Sequence, residues 1–508
     1  MSIGRGLEAA RPARPIRAAE RIHVVGAAGA GASAAVLLAH HAGADVSGCD
    51  PGGPSPYTPP IEAIGIALAG GHDPRHVTQR PAPERLAVTK ALTAIDPNNA
   101  ELEAARAAGI PIEPWQQVIA DAAFGRVLVG VAGTHGKSTT AGWLVHVLVQ
   151  AGFDPAAFVG ALLPGALTGG LPSTARLGAG RPFVVEADEY AGNFDPYVPE
   201  IAVLTSAEWD HPDVFADAAA VISAFTAWLR RAAVSASQPI LVANVADAGV
   251  EAVVHRLRGW GGRIVATGLA QDGPVGASKR ILTLGGSSGE WLAARIVTAD
   301  ADGTVLEMEG SSIAAPLRTR LQLAGRHNAA NALGVAGAAL ALGVSADDVA
   351  TGLSSFGGVG RRLERKGAPL GIPVYDDYGH HPTAIRETLA AIRQKEPGRR
   401  VVAVYEPLTY HRTAAMLEEF AEVLAQADAV AIAQIWSSRD PDTTITSAEA
   451  LAQAVSRRNP GIVSVAPGSV EETAAWVAEN VSSGDAVLVM GGGKSYRIAE
   501  LLVRALSR

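Results

Sequence analysis

The chain has 508 residues, of which 48% are apolar and 18% are charged. At about 100–200 residues per domain, this length predicts three folded domains, and the composition excludes a disordered chain and a charged coiled coil. The 42 Lys and Arg against 50 Asp and Glu give a net charge of −8. No basic stretch is long enough to follow a phosphodiester backbone, so nucleic acid is not expected as a partner.

Three features of the sequence indicate the cellular compartment. The two longest apolar stretches, residues 24–39 and 332–344, are shorter than the about 20 residues of a membrane helix, so no membrane partner is expected. The only cysteine, Cys49, cannot form an intramolecular disulfide, which fits a reducing compartment. Residues 1–20 carry arginines among prolines and alanines without the apolar core of a targeting signal. We predict a cytoplasmic protein with a flexible tail over residues 1–20.

The first predicted domain spans residues 21–125 and opens with a strand, a glycine turn and a helix. The turn contains Gly26, Gly29 and Gly31, and Asp50 follows about 20 residues later, where nucleotide-binding α/β folds place an acidic side chain. Glycine turns open many βα units that bind no ligand, and this glycine order differs from the dinucleotide fingerprint. A nicotinamide cofactor is therefore disfavoured, while a pyrophosphate at the helix N-terminus stays open.

The second predicted domain spans residues 126–356, and its strand at 126–132 leads into the strongest local motif. That motif reads Gly133, Thr134, His135, Gly136, Lys137, Ser138 and Thr139. Backbone N–H groups of such a loop cradle phosphate oxygens, Lys137 reaches the β- and γ-phosphates, and the Ser138 hydroxyl binds Mg²⁺. Val131 stands where the general phosphate loop has its first glycine, but a plain glycine turn would not explain a lysine followed by three hydroxyl residues. We predict ATP or GTP binding.

Two candidate Mg²⁺ ligands follow the next strands. Glu186 closes a strand at 183–186, and His211 follows a strand at 201–205. Phosphoryl transfer requires Mg²⁺ to neutralise charge on the phosphate oxygens, and ligands gather at the carboxyl ends of parallel strands. Each residue alone has a simpler interpretation, a solvated acid or a surface or core histidine. Their succession after one phosphate loop favours metal binding.

The end of the second domain is less regular. Residues 270–320 are predicted to form irregular β structure with a turn at 285–289, and a helix follows from about residue 328 to 342. Asn328 and Asn331 lie on one face of that helix, where their amide groups suit the edge of a base. A polar helix start with asparagine as its cap is an equally open interpretation.

The third predicted domain spans residues 357–508 and follows a glycine-rich hinge at 356–360. Arg362 comes directly after the hinge and either holds a phosphate or belongs to a solvated charged run. The segment 376–382 follows a strand and contains so many titratable groups that we predict a functional role. Further strands are predicted at 374–377, 401–405, 429–432 and 486–490.

In combination and in this order, the motifs resemble those of the Mur ligase family, the ATP-dependent amide-forming enzymes of peptidoglycan precursor synthesis. The motifs that carry the resemblance lie at residues 133–140, 186–190, 210–211, 327–331 and 376–382. The resemblance implies three α/β domains: a Rossmann-like UDP-binding domain, a central P-loop-type ATPase domain and a Rossmann-like C-terminal domain for the amino acid. The glycine turn is similar to the family's uridine diphosphate loop.

The resemblance also implies roles for single residues. Lys137 and Ser138 would handle the phosphates and the first Mg²⁺, Glu186 would bridge the metals, and His211 would ligate the second Mg²⁺. The other implied contacts are His327, Asn328 and Asn331 with adenine, Arg362 with the ATP phosphates, Asp377 with the ribose, Gly26, Gly29, Gly31 and Asp50 with the UDP-sugar, and Tyr378, His380 and Arg412 near the muramoyl group or the amino acid. His380 either takes the amine proton or only positions the substrate.

The absence of a lysine from most of the central domain indicates which branch of the family the chain resembles. Ligases that add later residues use a carbamylated lysine in the central domain, yet there is no lysine between Ser138 and Ser278. The resemblance therefore implies an enzyme that joins L-alanine to the lactoyl carboxylate of UDP-N-acetylmuramate through an acyl phosphate, in cell-wall biogenesis. The alternatives are the murein tripeptide ligase of cell-wall recycling and a catalytically silent nucleotide-binding homologue.

Two departures from the family pattern fall in the third domain. Where the alanine-adding members usually read Gln-Pro-His, this chain has Glu406, Pro407 and Leu408. Near the end, residues 491–495 replace a Gly-Ala-Gly-Asp-like run. These changes leave the choice of amino acid open.

Overall fold

The computed structural model describes residues 3–235, 238–270, 290–437, 440 and 442–507. It contains three sheets that follow one another along the chain, each flanked by helices. The three predicted α/β units, and the alternation of short buried strands with helices inside them, are confirmed.

The first sheet has four parallel strands in the order β2-β1-β3-β4. Its elements are β1 (Arg21–Val25), α1 (Ala30–His41), β2 (Asp45–Cys49), α2 (Pro59–Ala63), α3 (Arg75–Thr78), β3 (Arg85–Val88), α4 (Lys90–Ile95), α5 (Ala100–Ala107), β4 (Ile112–Pro114) and α6 (Trp115–Ala122). The predicted strand, glycine turn and helix at the start of this domain are present, because a β-branched run is followed directly by residues that allow a tight turn.

The predicted flexible tail needs correction. The described part of it, residues 3–20, is packed against the first domain. The Arg11 guanidinium lies 2.6 Å from Glu113 Oε1 and 2.7 Å from Asp121 Oδ2, and the backbone N–H of Glu8 donates to the carbonyl of Ile112 at 2.8 Å. The segment is ordered because buried carboxylates about a hundred residues away pair with its arginines, which local sequence does not reveal.

The second sheet has ten strands in the order β14-β13-β12-β11-β10-β9-β5-β8-β6-β7. Its elements are β5 (Val127–Ala132), α7 (Lys137–Gln150), β6 (Ala156–Leu163), α8 (Gly165–Thr168), β7 (Ser173–Arg176), β8 (Pro182–Ala187), β9 (Ile201–Leu204), α9 (Ala218–Ser235), β10 (Ile240–Asn244), α10 (Ala248–Arg256), β11 (Arg263–Leu269), β12 (Glu290–Asp300), β13 (Gly303–Gly310), β14 (Leu317–Leu321), α11 (Arg326–Ala341) and α12 (Ala346–Ser355). The central β5 runs parallel to β8 and β9 on either side, so the carboxyl ends of the three strands meet at one edge.

Residues 270–320 were predicted to form irregular β structure, but their described part, from residue 290 onward, is regular. Strands β12, β13 and β14 form an antiparallel meander on the edge of the second sheet, with one register shift between Ile296 and Thr298. The predicted turn at 285–289 lies outside the described residues. The predicted helix is α11, which begins two residues earlier than expected, at Arg326.

The third sheet has six strands in the order β15-β16-β20-β17-β18-β19, all parallel except the edge strand β15. Its elements are β15 (Glu364–Gly367), β16 (Val374–Asp377), α13 (Pro382–Lys395), β17 (Arg400–Glu406), α14 (Tyr410–Ala415), α15 (Leu417–Leu424), β18 (Ala429–Ala433), α16 (Ala448–Arg458), β19 (Val463–Gly468), α17 (Val470–Asn480), β20 (Asp485–Gly491) and α18 (Ser495–Leu506). Among the described helices, none has both the length and the apolar character needed to cross a membrane.

Candidate functional site between the three domains

A cavity of about 790 Å³ lies where the three domains meet. The first domain contributes Gly31 and Trp115, the second contributes the loop around Lys137, and the third contributes Tyr378 and His380. The cavity therefore opens at the carboxyl ends of the central strands, where parallel sheets bind ligands.

The phosphate loop lies between β5 and the start of α7. Gly136 is the N-cap of α7 with φ 80°, and a Cβ at this position would lie 2.6 Å from Asn331 Oδ1. Glycine is thus required both by the backbone conformation and by the close approach of α11. Residues 134–139 line the cavity, so the N-terminus of α7 faces the space where an anion would bind.

Lys137 is held by acidic side chains of the loop after β8. Its Nζ donates to the Gly133 carbonyl at 2.6 Å and to Glu189 Oε2 at 3.0 Å, and lies 3.6 Å from Asp188 Oδ1. Burial lowers the pKa of Lys137, but these carboxylates more than compensate and raise it above its ordinary value. Burial also raises the pKa of Glu189 to about 7. Asp188 and Glu189 were not among the residues predicted from the sequence, although two acids directly after the end of a strand are a usable signal.

Glu186 and Arg362 meet at the Ser138 hydroxyl. Ser138 Oγ donates to Glu186 Oε1 at 3.0 Å, and Glu186 Oε2 accepts the Gly160 N–H at 2.6 Å. From the third domain, Arg362 Nη2 donates to Ser138 Oγ at 2.8 Å. The structure thus brings three of the predicted phosphate and metal residues together from two domains.

His211 lies in a cluster of three metal-ligating side chains. One ligand atom each from Asp188, Glu189 and His211 lies within 4.8 Å of the others. His211 has φ 56°, an uncommon conformation for a non-glycine residue. The two carboxylates of this group fit the hard-ligand preference of Mg²⁺.

Arg412 lies behind His211 rather than on the cavity wall. Its Nε donates to Asp210 Oδ1 at 2.9 Å, and its Nη2 lies 3.1 Å from His211 Nδ1. Its Nη1 is buried and has no hydrogen-bond partner among the described residues. Arg412 does not line the cavity, because its ion pair with the buried Asp210 holds it at the boundary of the second and third domains.

The loop after β16 carries the other predicted residues of the third domain. Both Asp377 oxygens accept backbone N–H groups, from Gly379 and Leu363, each at 2.7 Å, so this carboxylate also stabilises the loop. His380 Nδ1 lies 2.9 Å from the Tyr378 carbonyl, and Nε2 lies 3.8 Å from Asp210 Oδ2. Burial, reinforced by the Arg412 charge, holds the pKa of His380 well below its ordinary value. The imidazole is therefore neutral at physiological pH.

The residues predicted to face adenine lie together on the first turns of α11. Asn328 Nδ2 donates to the Ala324 carbonyl at 2.7 Å, and Asn331 Nδ2 donates to Asn328 Oδ1 at 3.3 Å. His327 Nδ1 lies 3.4 Å from Glu387 Oε2 of the third domain. All three line the cavity, although both asparagine amides already bond within the protein.

The predicted UDP-sugar residues surround the turn between β1 and α1. Gly26 has φ 80°, and Asp50 Oδ2 accepts the Ala28 N–H at 3.0 Å. Asp50 thus supports the turn itself. Among Gly26, Gly29, Gly31 and Asp50, Gly31 lines the large cavity and the other three do not.

The two segments that depart from the family pattern, residues 406–408 and 491–495, contact one another. Glu406, at the end of β17, accepts the backbone N–H of Ser495 at 2.7 Å, at the start of α18. Burial raises the pKa of Glu406 to about 7. Leu408 lines the cavity. The carboxylate and the altered loop at 491–495 therefore form one local unit.

The fold and the site define a three-domain α/β protein with a phosphate-binding loop at the junction of its domains. Three family profiles match in order: Mur ligase family, catalytic domain, at residues 21–126; Mur ligase middle domain at 131–339; and Mur ligase, glutamate ligase domain, at 361–493. The chain is 36% identical over 476 residues, 93% of each sequence, to the UDP-N-acetylmuramate–L-alanine ligase of Kineococcus radiotolerans. The chain belongs to the Mur ligase family.

Solved structures agree with this assignment. The UDP-N-acetylmuramate–alanine ligase of Thermotoga maritima superposes with a TM-score of 0.74 at 22% identity, over 95% of this chain and 98% of that chain. The murein peptide ligase of Psychrobacter arcticus superposes with a TM-score of 0.70 at 25% identity, over 96% and 99%. The first likeness supports the fold, and the second shows that a murein peptide ligase shares it.

Proposed function

We propose that the protein is an ATP-dependent ligase that joins L-alanine to the lactoyl carboxylate of UDP-N-acetylmuramate, a step of peptidoglycan precursor synthesis in the cytoplasm. The observation that carries this proposal is the contact of Arg362 with Ser138 at the phosphate loop, inside a cavity walled by all three domains. Named relatives with this activity align over nearly the whole chain.

The chemistry requires activation because a carboxylate would have to expel oxide to form an amide. The muramoyl carboxylate attacks the γ-phosphorus of ATP, giving an acyl phosphate and ADP. The amine of L-alanine then attacks the acyl carbon, and phosphate leaves as the amine loses its proton. Lys137 and Arg362 donate to the phosphate oxygens, where negative charge is concentrated. His380, neutral and partly buried, is the proposed acceptor of the amine proton.

Ser138, Glu186 and His211 are the residues that would hold Mg²⁺, with Asp188 and Glu189 close by. Bound there, Mg²⁺ neutralises charge on the transferred phosphoryl group. The chain contributes the oxygen donors at fixed positions, since Glu186 is anchored by the Gly160 N–H.

The third domain closes the cavity over the phosphate loop. Thr383 Oγ1 donates to Glu208 Oε2 at 2.7 Å, and the His381 imidazole contacts the Trp209 carbonyl at 3.2 Å, both across the boundary to the second domain. Closure about residues 356–360 keeps water from the acyl phosphate, which would otherwise hydrolyse.

The test is ADP release that depends on both UDP-N-acetylmuramate and L-alanine. Lys137→Ala should abolish it while circular dichroism shows an intact fold, and Lys395→Ala at the end of α13, outside the cavity, should keep it. Unchanged turnover in Lys137→Ala would refute the proposal.

A second candidate is the murein tripeptide ligase of cell-wall recycling, favoured by the similarity to the Psychrobacter arcticus structure. Offering L-alanine and L-alanyl-γ-D-glutamyl-meso-diaminopimelate in parallel separates the two. Turnover with the tripeptide but not with L-alanine would assign the recycling reaction. If ATP binds but neither L-alanine nor the tripeptide raises ADP release above background, the protein is the silent homologue.

A further inference from the structure

A second group of metal-ligating side chains lies in the first domain, outside the large cavity. Its members come from four elements: His23 from β1, Cys49 from the end of β2, His76 from α3 and Glu101 from the first turn of α5. One ligand atom of each lies within 4.8 Å of all the others. The fold therefore gathers two imidazoles, a thiol and a carboxylate around one point.

Glu101 is the centre of this group. Its Oε1 lies 2.8 Å from His23 Nε2 and 3.1 Å from His76 Nδ1, and its Oε2 lies 3.3 Å from Cys49 Sγ. His72 Nδ1 also lies 3.3 Å from Glu101 Oε2. Neighbouring ligand atoms around one tetrahedral ion with bonds of about 2.0–2.3 Å lie about 3.3–3.8 Å apart. The side chains therefore need to separate by only about half an ångström to admit such an ion.

The orientation of His23 is an independent indication of a ligand. Its ring is 2% exposed, and Nδ1 lies 2.8 Å from the Ser47 hydroxyl on the neighbouring strand. Nε2 is buried and points at the group, where Glu101 Oε1 lies 2.8 Å away in an arrangement without hydrogen-bond geometry. A metal-binding histidine usually has its second ring nitrogen fixed by a hydrogen bond in this way.

We propose that His23, Cys49, His76 and Glu101 bind one Zn²⁺ ion. Imidazole and thiolate ligands with a single carboxylate suit zinc, whereas Mg²⁺ and Ca²⁺ favour sites made of oxygen. Cys49 and Glu101 are fully buried, and four protein ligands complete a tetrahedron, so this ion is structural.

An ion bound to Cys49 also constrains the neighbouring turn between β1 and α1. The Cys49 carbonyl accepts the backbone N–H groups of Gly26 at 2.9 Å and of Ala27 at 3.0 Å. An ion on the Cys49 sulfur fixes the end of β2, and through this carbonyl it fixes the turn that the resemblance to Mur ligases assigns to the UDP-sugar. Zinc therefore holds the turn in its binding conformation.

The test exploits the single cysteine of the chain. Full-length protein is freed of metal, returned to excess Mg²⁺ and titrated with Co²⁺ and with Zn²⁺. We expect one Co²⁺ per chain with an intense sulfur-to-cobalt charge-transfer band, displacement of that band by one equivalent of Zn²⁺, and a higher Tm with Zn²⁺. Since only Cys49 can supply the thiolate, this band cannot arise from the Mg²⁺ site.

Variants then test the ligand set. Cys49→Ser should lose the band, and His76→Ala, which removes the most exposed of the four ligands, should bind Zn²⁺ at least about tenfold more weakly. His41→Ala, an exposed histidine of the same domain, should behave as wild type. If the wild-type protein gives no charge-transfer band and no Tm rise with Zn²⁺, the proposal is overturned, whatever the variants do. Ligase activity is not part of this readout, so its outcome is independent of the proposed function.

Discussion

Arg362 provides the sharpest test of how the domains cooperate. It belongs to the third domain, yet its guanidinium donates to Ser138 of the phosphate loop, and its neighbour Arg361 instead pairs with Asp376 inside the third domain. Arg362→Ala removes a cation that reaches the phosphate site only when the domains are closed. The fold of each domain should survive, because Arg361 keeps its own contacts.

The expected magnitude follows from the role of this cation. An arginine that closes on a transferring phosphoryl group contributes about 10³–10⁵ in kcat. Lys137 stays beside the phosphates in the variant, so we expect the lower end, a loss of about 10³-fold or about 4 kcal/mol of transition-state stabilisation. Binding of ATP to the open second domain should weaken by less than about tenfold, since the loop residues are unchanged.

The assay measures kcat by ADP release with all substrates saturating and measures ATP affinity by calorimetry. Arg365→Ala, an exposed arginine on β15, is the matched control and should keep wild-type kcat. A kcat within tenfold of wild type in Arg362→Ala would refute the closing role, and weaker ATP binding with that nearly unchanged kcat would show that Arg362 only binds the ground state.

Three further predictions concern buried charge. Asp121→Ala should destabilise the protein by about 3–5 kcal/mol in urea unfolding, because the buried Asp121 carboxylate pairs with both Arg85, 2.6 Å away, and Arg11, 2.7 Å away; Asp45→Ala, exposed in the same domain, should change little. His380→Asn should lower kcat about 10²-fold with little change in ATP affinity, and the acid limb of the wild-type kcat profile should lie below pH 6.5 because the pKa of His380 is depressed. Glu406→Gln should be more stable relative to wild type at pH 8 than at pH 5, measured by urea unfolding. The folded pKa of Glu406 is about 7, above its unfolded value of about 4.3, so wild type loses stability as pH rises through that window.

Each of these has an outcome that contradicts it. A free energy of unfolding within 1 kcal/mol of wild type in Asp121→Ala, on the scale of about 3–5 kcal/mol for a broken buried pair, would mean that the remaining acids compensate Arg85. An unaltered kcat in His380→Asn would remove the residue from proton transfer. Equal stability differences at both pH values in Glu406→Gln would show that Glu406 titrates normally.

The sequence by itself determined the parts of the site that are local. The loop at 133–139 was recognisable because the phosphate-binding turn, its lysine and its hydroxyl lie within seven consecutive residues between a strand and a helix. Glu186 could be placed beside it because parallel strands end at one edge of a sheet. The third-domain loop at 376–382 could be predicted because many titratable groups follow one strand within seven residues.

Tertiary structure alone decided which distant residues become partners. Arg412 pairs with Asp210, Glu189 lies against Lys137, and residues 3–20 lie on the first domain through Arg11. The His23 and Glu101 contact joins strand β1 to helix α5, 78 positions further along the chain. Periodicity and motif spacing describe only neighbours along the chain. Such pairings arise when packing of separate elements buries charged groups, which must then find partners away from water.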